Sequence, residues 1–369
     1  MILKNIYFRV DSSSAIGSGH VMRCLALADY FKKKKINSYF IKRNLDGNYI
    51  KKIEKHGHNV YILKRKKTKK KSQKKSKLFF YKNLLETSER EDAEECLKFF
   101  DKIKPDIIII DHYGISKIWH DFIKKKKFKI MVIDDLADRK YNCDILLDTT
   151  EGRKKLEYKK FLNKECKLLI GAKNSLIRDE FIKLRKKSIK KNLKNKFIKN
   201  VLISMGGSDP KNTTEFIIKS LDKSKLNIVV NVVLGKNYKY FHKLYKLIKK
   251  TNIRVNIMKD VNNMAKLAYE NDLAITTPSV TALEFCTMGL PCMVITNSEN
   301  QKSIAYNLHR IGALVNLGFF NLLNHQSFIN QFTEMFHNYS KRLRIVKTAH
   351  RVCNGSGKSL VYKNILKLF

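Results

Sequence analysis

The run I-I-I-I-D, Ile107–Asp111, leaves little choice of fold. Four consecutive isoleucines have no face to offer water. The strand they form must be covered on both sides, as in parallel sheets flanked by helices. Related runs recur at Ile6–Asp11, Ser38–Lys42, Asn59–Leu63, Ile130–Asp134 and Ile145–Asp148. Helical periodicity lies between them, clearest at Val21–Phe31 and Glu89–Phe100. That rhythm predicts a doubly wound α/β sheet. After Leu184 the segment R-K-K-S-I-K-K-N-L-K-N-K is charged and poor in core residues, which predicts a linker. Strands then resume at Val201–Ser204, Ile228–Leu234, Val255–Met258, Leu273–Thr276 and Cys292–Thr296. A chain of 369 residues exceeds one ordinary core, and its 43% apolar content is enough for two. The expected class is α/β, with two doubly wound Rossmann-like domains at 1–184 and 200–318. A linker at 185–199 joins them and a helical extension follows at 319–369. Ligands of open α/β sheets bind at the carboxyl ends of the strands, so the domains are expected to face each other across a cleft.

The formal charge of +43 raises the question of a polyanionic partner. The lysines are spread over every helical stretch, amid abundant Asn, Ile, Phe and Tyr, whereas a nucleic-acid footprint should be localised. One run is localised, K-R-K-K-T-K-K-K-S-Q-K-K-S-K at Lys64–Lys77. A block of like charge without apolar residues reads as a solvated loop, able to attract anionic surfaces at low salt. Seven cysteines form no C-x-x-C pair and no zinc spacing, which fits reduced thiols. No apolar run reaches the length a bilayer demands. The N-terminal M-I-L-K-N-I-Y-F-R-V-D meets a polar turn too early for a secretory signal. A soluble, cytoplasmic monomer without a specific nucleic-acid partner is expected.

The stretch F-R-V-D-S-S-S-A-I-G-S-G-H-V-M-R-C-L-A-L-A-D, Phe8–Asp29, combines a strand end, a hydroxyl-and-glycine turn and a histidine heading a helix. Gly17 and Gly19 permit backbone angles that other residues avoid. Val21, Cys24, Leu25 and Ala28 then recur at helical spacing. His20 therefore sits in a first turn, beside exposed N–H groups and the positive end of the helix dipole. That position disfavours the imidazolium, and a neutral imidazole can accept a proton as a general base. The turn could equally bind phosphate, although it lacks the third glycine and the following acid of a dinucleotide fingerprint.

The block R-V-D-S-S-S-A-I-G-S-G-H-V-M-R-C-L-A-L-A resembles the N-terminal signature of the UDP-2,4-diacetamido-2,4,6-trideoxy-β-L-altropyranose hydrolase family of pseudaminic acid biosynthesis. Further blocks follow in the family's order: I-I-D-H-Y-G-I (109–115), I-D-D-L-A-D-R (133–139), C-D-I-L-L-D (143–148) and L-I-R-D-E-F (176–181). S-M-G-G-S-D-P-K-N (204–212) and E-N-Q (299–301) complete the set. The resemblance implies a GT-B-like fold and a reaction in which water displaces UDP at the anomeric carbon, with C1–O cleavage and inversion. It implies no metal and no organic cofactor, and as partners only the UDP-linked diacetamido sugar and water.

The same resemblance implies catalytic roles for His20, Tyr113 and Asn300. It places Asp11, Ser13, Gly17, Gly19 and Arg178 at the substrate. Tyr113 follows the strand Ile107–Asp111 and so should emerge at its carboxyl end. Gly206 and Gly207 follow another strand and would let backbone and helix N–H groups approach a pyrophosphate. At T-P-S-V-T-A-L-E, Thr277–Glu284, Ser279 and Thr281 open a helix and Glu284 would hold the ribose hydroxyls, as in GT-B-like enzymes. Pro278 and Val280 replace the glycines of many relatives there. Asn300 and Gln301 would offer amides to the sugar. Two rival readings remain at this point: a glycosyltransferase on the same scaffold, and a nonspecific polyanion-binding protein.

Overall fold

The structure, a computed structural model, describes residues 3–13, 16–65, 81 and 83–369. From residue 66 onward, the basic run read as a solvated loop lies outside the described residues. The chain divides into two compact units, one of 1–176 with 356–369 and one of 177–355. Among the described residues no helix is long and apolar enough to cross a membrane.

In the first unit seven strands form a parallel sheet in the order β3-β2-β1-β4-β5-β6-β7. They are β1 (Asn5–Val10), β2 (Asn37–Arg43), β3 (Asn59–Leu63), β4 (Ile107–Asp111), β5 (Lys129–Ile133), β6 (Ile145–Asp148) and β7 (Lys167–Ile170). The four isoleucines of β4 divide evenly between the two faces. Ile107 and Ile109 join Phe8, Val10 and Met131 in one core, while Ile108 and Ile110 join Tyr7 and Ile130 in the other. All four are buried. Filling such a site with alanine removes both transfer energy and packing, so Ile109→Ala is expected to lower the unfolding free energy by about 2–5 kcal/mol in urea denaturation.

The second unit holds a parallel sheet in the order β10-β9-β8-β11-β12-β13. Its strands are β8 (Asn200–Ser204), β9 (Val229–Leu234), β10 (Arg254–Lys259), β11 (Leu273–Thr276), β12 (Cys292–Thr296) and β13 (Val315–Phe319). β7 and β13, absent from the sequence reading, are both edge strands. K-L-L-I is short and preceded by charged residues, and V-N-L-G-F is interrupted by Asn316 and Gly318, as an edge covered less completely than a central strand allows.

The segment 185–199 differs from the linker expected there, since most of it lies in helix Asp179–Lys194. Phe181, Ser188 and Asn192 form its buried stripe, and the lysines occupy the remaining faces. Lys191 caps the carbonyls of Tyr269 and Asn271 at 2.7 and 2.6 Å. Residues 319–369 likewise do not form one extension. Phe328, Phe332, Met335 and Ile345 complete the core of the second unit. Helix Gly357–Leu366 instead belongs to the first, where Val361 and Ile365 join the core of β1 and β4.

Candidate active site

Strand order reverses at β1 and β4 in the first unit, and the chain leaves these neighbours towards opposite sides of the sheet. Such a switch point opens a crevice at the carboxyl ends. Val10 and Asp111 are paired at that edge. Beyond β1 the chain turns at Gly17, whose φ of +84° suits glycine. Its N–H donates to the Ser13 carbonyl at 2.8 Å, and the Ile16 N–H donates to Ser13 Oγ at 3.0 Å. A Cβ at Gly17 or Gly19 would meet nothing within 4 Å, so the space beside both is open. Helix Gly19–Lys33 then starts with no side-chain cap.

His20, the second residue of this helix, points Nδ1 at Asp111 Oδ1, 2.5 Å away. Arg23, three residues on and so on the same helical face, grips Asp111 with both arms of its fork. Nε donates to Oδ2 and Nη2 to Oδ1, each at 2.6 Å. Nη2 also lies 3.2 Å from His20 Nδ1, a contact that would suit the opposite tautomer. The shorter approach, to a carboxylate, decides the assignment: Nδ1 carries the proton and donates it to Asp111. Among the described residues the polar contacts of His20 lie at Nδ1, and in that tautomer Nε2 carries the lone pair that can accept a proton. Burial works to raise the Asp111 carboxyl, yet Arg23 and then His20 hold it well below the usual carboxylate range.

Tyr113, two residues beyond β4, packs against the imidazole with ring centroids 4.6 Å apart in a T-shaped arrangement. Its phenol donates to Asp135 Oδ1 at 2.7 Å, and Asp135 Oδ2 lies 3.3 Å from Arg23 Nη1. The structure thus brings together His20 and Tyr113, as expected, and adds Arg23, Asp111 and Asp135. Asp111 and Asp135 sit within the quoted motifs I-I-D-H-Y-G-I and I-D-D-L-A-D-R, Asp111 as the last residue of β4 and Asp135 two residues beyond β5. Arg23 was not read as a site residue; its three-residue spacing from His20, which puts both on one helical face, is the signal that could have found it.

Asp11 departs from the expectation that it meets substrate. It is fully buried, with the Arg43 N–H donating to Oδ1 at 2.7 Å and Arg9 Nη1 2.8 Å from Oδ2. His112 Nε2 lies 3.3 Å from the same oxygen. The carboxylate anchors the strand end because the Arg9 guanidinium, the His112 imidazole and a backbone donor already enclose it.

A second carboxyl cluster lies behind the site. The Tyr158 hydroxyl is 2.7 Å from Asp134 Oδ2 and 2.9 Å from Asp148 Oδ2. One hydroxyl proton serves one acceptor at a time, so two carboxyl groups crowd a single donor, and Arg153 Nε also donates to Asp148 Oδ2 at 2.7 Å. Burial pushes the Asp148 carboxyl up to about 6, against the pull of Arg153 and with a contribution from Asp134. Its folded value exceeds the unfolded 3.8, so the associated stability is complete below pH ~4 and is lost as pH rises through about 6. The difference amounts to about 3 kcal/mol. Asp148→Asn keeps a neutral side chain at every pH. Its melting temperature relative to the parent should therefore rise between pH 4 and pH 7; a constant difference would refute the assignment.

In the second unit the switch point falls between β8 and β11. Gly206, with φ +88°, and Gly207 follow β8. Helix Thr213–Lys223 starts only after this loop, and Asp209 already caps it, accepting from the Thr213 and Thr214 N–H groups at 2.9 Å each. The expected helix donors are therefore occupied, and backbone of the Gly206–Gly207 turn is what remains for a phosphate. The turn leans on Gly235, where a Cβ would come within 2.3 Å of the Gly207 carbonyl oxygen. Beyond β11, Ser279 heads helix Val280–Thr287, which has no side-chain cap, with Thr281 half-buried in its first turn.

Glu284 does not stand ready for a ribose. It is buried, and Arg178 donates to both its oxygens, Nε at 2.6 Å and Nη2 at 2.8 Å. Two residues read as separate substrate contacts thus neutralise each other. Beyond β12, the Asn297 N–H donates to Gln301 Oε1 at 2.9 Å, and the Ser298 hydroxyl donates to Asn300 Oδ1 at 2.6 Å. Gln301 braces the turn that presents Asn300.

No protein-family model matches the chain. It is 32% identical over 298 residues to an uncharacterized protein of Methanocaldococcus jannaschii, covering 79% of this chain but 55% of that protein, about half its length. It is 30% identical over 308 residues to the UDP-2,4-diacetamido-2,4,6-trideoxy-β-L-altropyranose hydrolase of Campylobacter jejuni, covering 83% of this chain and 97% of the relative. The crystal structure of Acinetobacter baumannii MurG matches 99% of both chains with a TM-score of 0.67 at 14% identity, which shows a GT-B-like fold. The chain belongs to the family of UDP-2,4-diacetamido-2,4,6-trideoxy-β-L-altropyranose hydrolases.

Proposed function

We propose that this protein hydrolyses UDP-2,4-diacetamido-2,4,6-trideoxy-β-L-altropyranose to UDP and the free sugar, with His20 as general base. The observation that carries the proposal is the 2.5 Å contact between His20 Nδ1 and Asp111, held by Arg23 at the switch point of the first sheet. The reading draws further support from the activity named for the Campylobacter jejuni relative.

A water oxygen attacks the anomeric carbon as its proton passes to His20 Nε2. The C1–O bond breaks, and its electron pair leaves with the β-phosphate of UDP. Asp111 stabilises the imidazolium as it forms and keeps the accepting nitrogen aimed outward. We assign UDP binding to the second unit. The backbone of Gly206 and Gly207 and the uncapped helix start at Ser279 suit the diphosphate. Asn300 and Thr281 supply hydrogen-bonding groups for the sugar and nucleotide.

Incubation with the UDP-sugar and no acceptor should yield UDP and free sugar in equal amounts, with the anomeric configuration inverted in early proton NMR spectra. UDP released only on addition of an acceptor would mark a transferase instead. The Gly206 turn has its own test. Gly235→Ala forces the Gly207 backbone aside and should weaken UDP binding by roughly 10- to 100-fold in calorimetry. Unchanged affinity would remove that turn from the phosphate site.

A further inference from the structure

Resting on the reading of His20 as the base, we propose that Asp135 is a positioning residue for the imidazole. In this role it fixes Tyr113 and Arg23 on either side of the base, and Tyr113 serves through its ring, not by giving its phenol proton to substrate.

Asp134 and Asp135 are adjacent acids beyond β5 with opposite tasks. Asp134 is buried and accepts from the Ala137 N–H at 2.9 Å as well as from Tyr158. Asp135 is less buried and divides its oxygens between the Tyr113 phenol at 2.7 Å and Arg23 Nη1 at 3.3 Å. Its backbone is fixed from behind. Arg153 Nη2 donates to the Asp135 carbonyl at 2.7 Å, and Arg153 is itself held by Asp148 and Glu157, each at 2.7 Å. The turn continues through Ala137 at φ +51°, a conformation that non-glycine residues hold only when surrounding contacts fix it.

The result is a closed ring: His20 to Asp111, Asp111 to Arg23, Arg23 to Asp135, Asp135 to the Tyr113 phenol, and the Tyr113 ring back to His20. A carboxylate suits the fourth position because two donors converge there and it has no proton to oppose them. Asparagine offers one acceptor and turns an NH2 group towards the other donor. The phenol has a single proton and Asp135 takes it. What Tyr113 presents to the base is therefore its ring, which limits how the imidazole can rotate.

The test compares Asp135→Asn, Tyr113→Phe and the double variant with the parent protein, each first checked for an unchanged melting profile. With the UDP-diacetamido sugar, each single change should lower kcat roughly 10- to 100-fold with KM within about threefold. The double variant should be no worse than the more impaired single one, because both changes break the same link. A second readout needs no substrate. The ring C–H resonances of His20 in the free protein should shift in both single variants. Full kcat in Asp135→Asn, a raised KM at unchanged kcat, additive losses, or unmoved His20 resonances would each overturn the proposal. Should the parent release no UDP while the resonances shift as expected, the hydrolase reading fails and the positioning role stands.

Discussion

His20→Asn should lower the rate of UDP release about 10³-fold at saturating substrate, the scale expected when a positioned base is removed. UDP affinity, measured by calorimetry, should stay within about threefold. Asparagine is short enough to fit the first turn of helix Gly19–Lys33, and its amide can still donate to Asp111. It cannot accept the proton of an attacking water. The loss should therefore fall on kcat and leave nucleotide binding intact. His20→Leu, which also gives up the Asp111 contact, should be as inactive and less stable. Full turnover in either variant would remove His20 from the reaction.

Asp111→Asn is expected to cost both activity and stability. The carboxylate is buried and receives His20 and both arms of Arg23. An amide accepts through one oxygen only, so part of the Arg23 guanidinium loses its partner inside the protein. Breaking one side of a buried ion pair costs about 3–5 kcal/mol. The imidazole also loses the group that fixes its tautomer and balances its charge, and kcat should fall roughly 10²- to 10³-fold. The folded carboxyl lies below its unfolded value of 3.8, so the pair contributes fully above that pH and its contribution is lost as acid protonates it. Urea denaturation of parent and variant should accordingly differ at pH 7 and converge on acidification. Equal stability at pH 7 would show that the ion pair contributes nothing net.

The double winding was legible because central strands of a covered sheet must be apolar on both faces, and I-I-I-I states that condition openly. Helix Asp179–Lys194 was hidden by its lysines, since its buried stripe rests on Ser188 and Asn192. The His20 turn and Tyr113 were found from motif and position, and the sheet order sets them side by side. Their charged partners were harder to read. Which acid reaches His20 depends on β1 lying next to β4, a pairing of residues about a hundred positions apart. Arg178 and Glu284 show the opposite case, where each looked like a ligand contact until the fold paired them.

Water activated by the His20–Asp111 pair should attack the sugar carbon and not the phosphorus. Turnover in oxygen-18-labelled water without an acceptor tests it directly, with mass spectrometry of the released UDP. UDP should be released unlabelled, while His20→Asn should release almost none. Label in the β-phosphate, or no UDP from the parent protein, would contradict it.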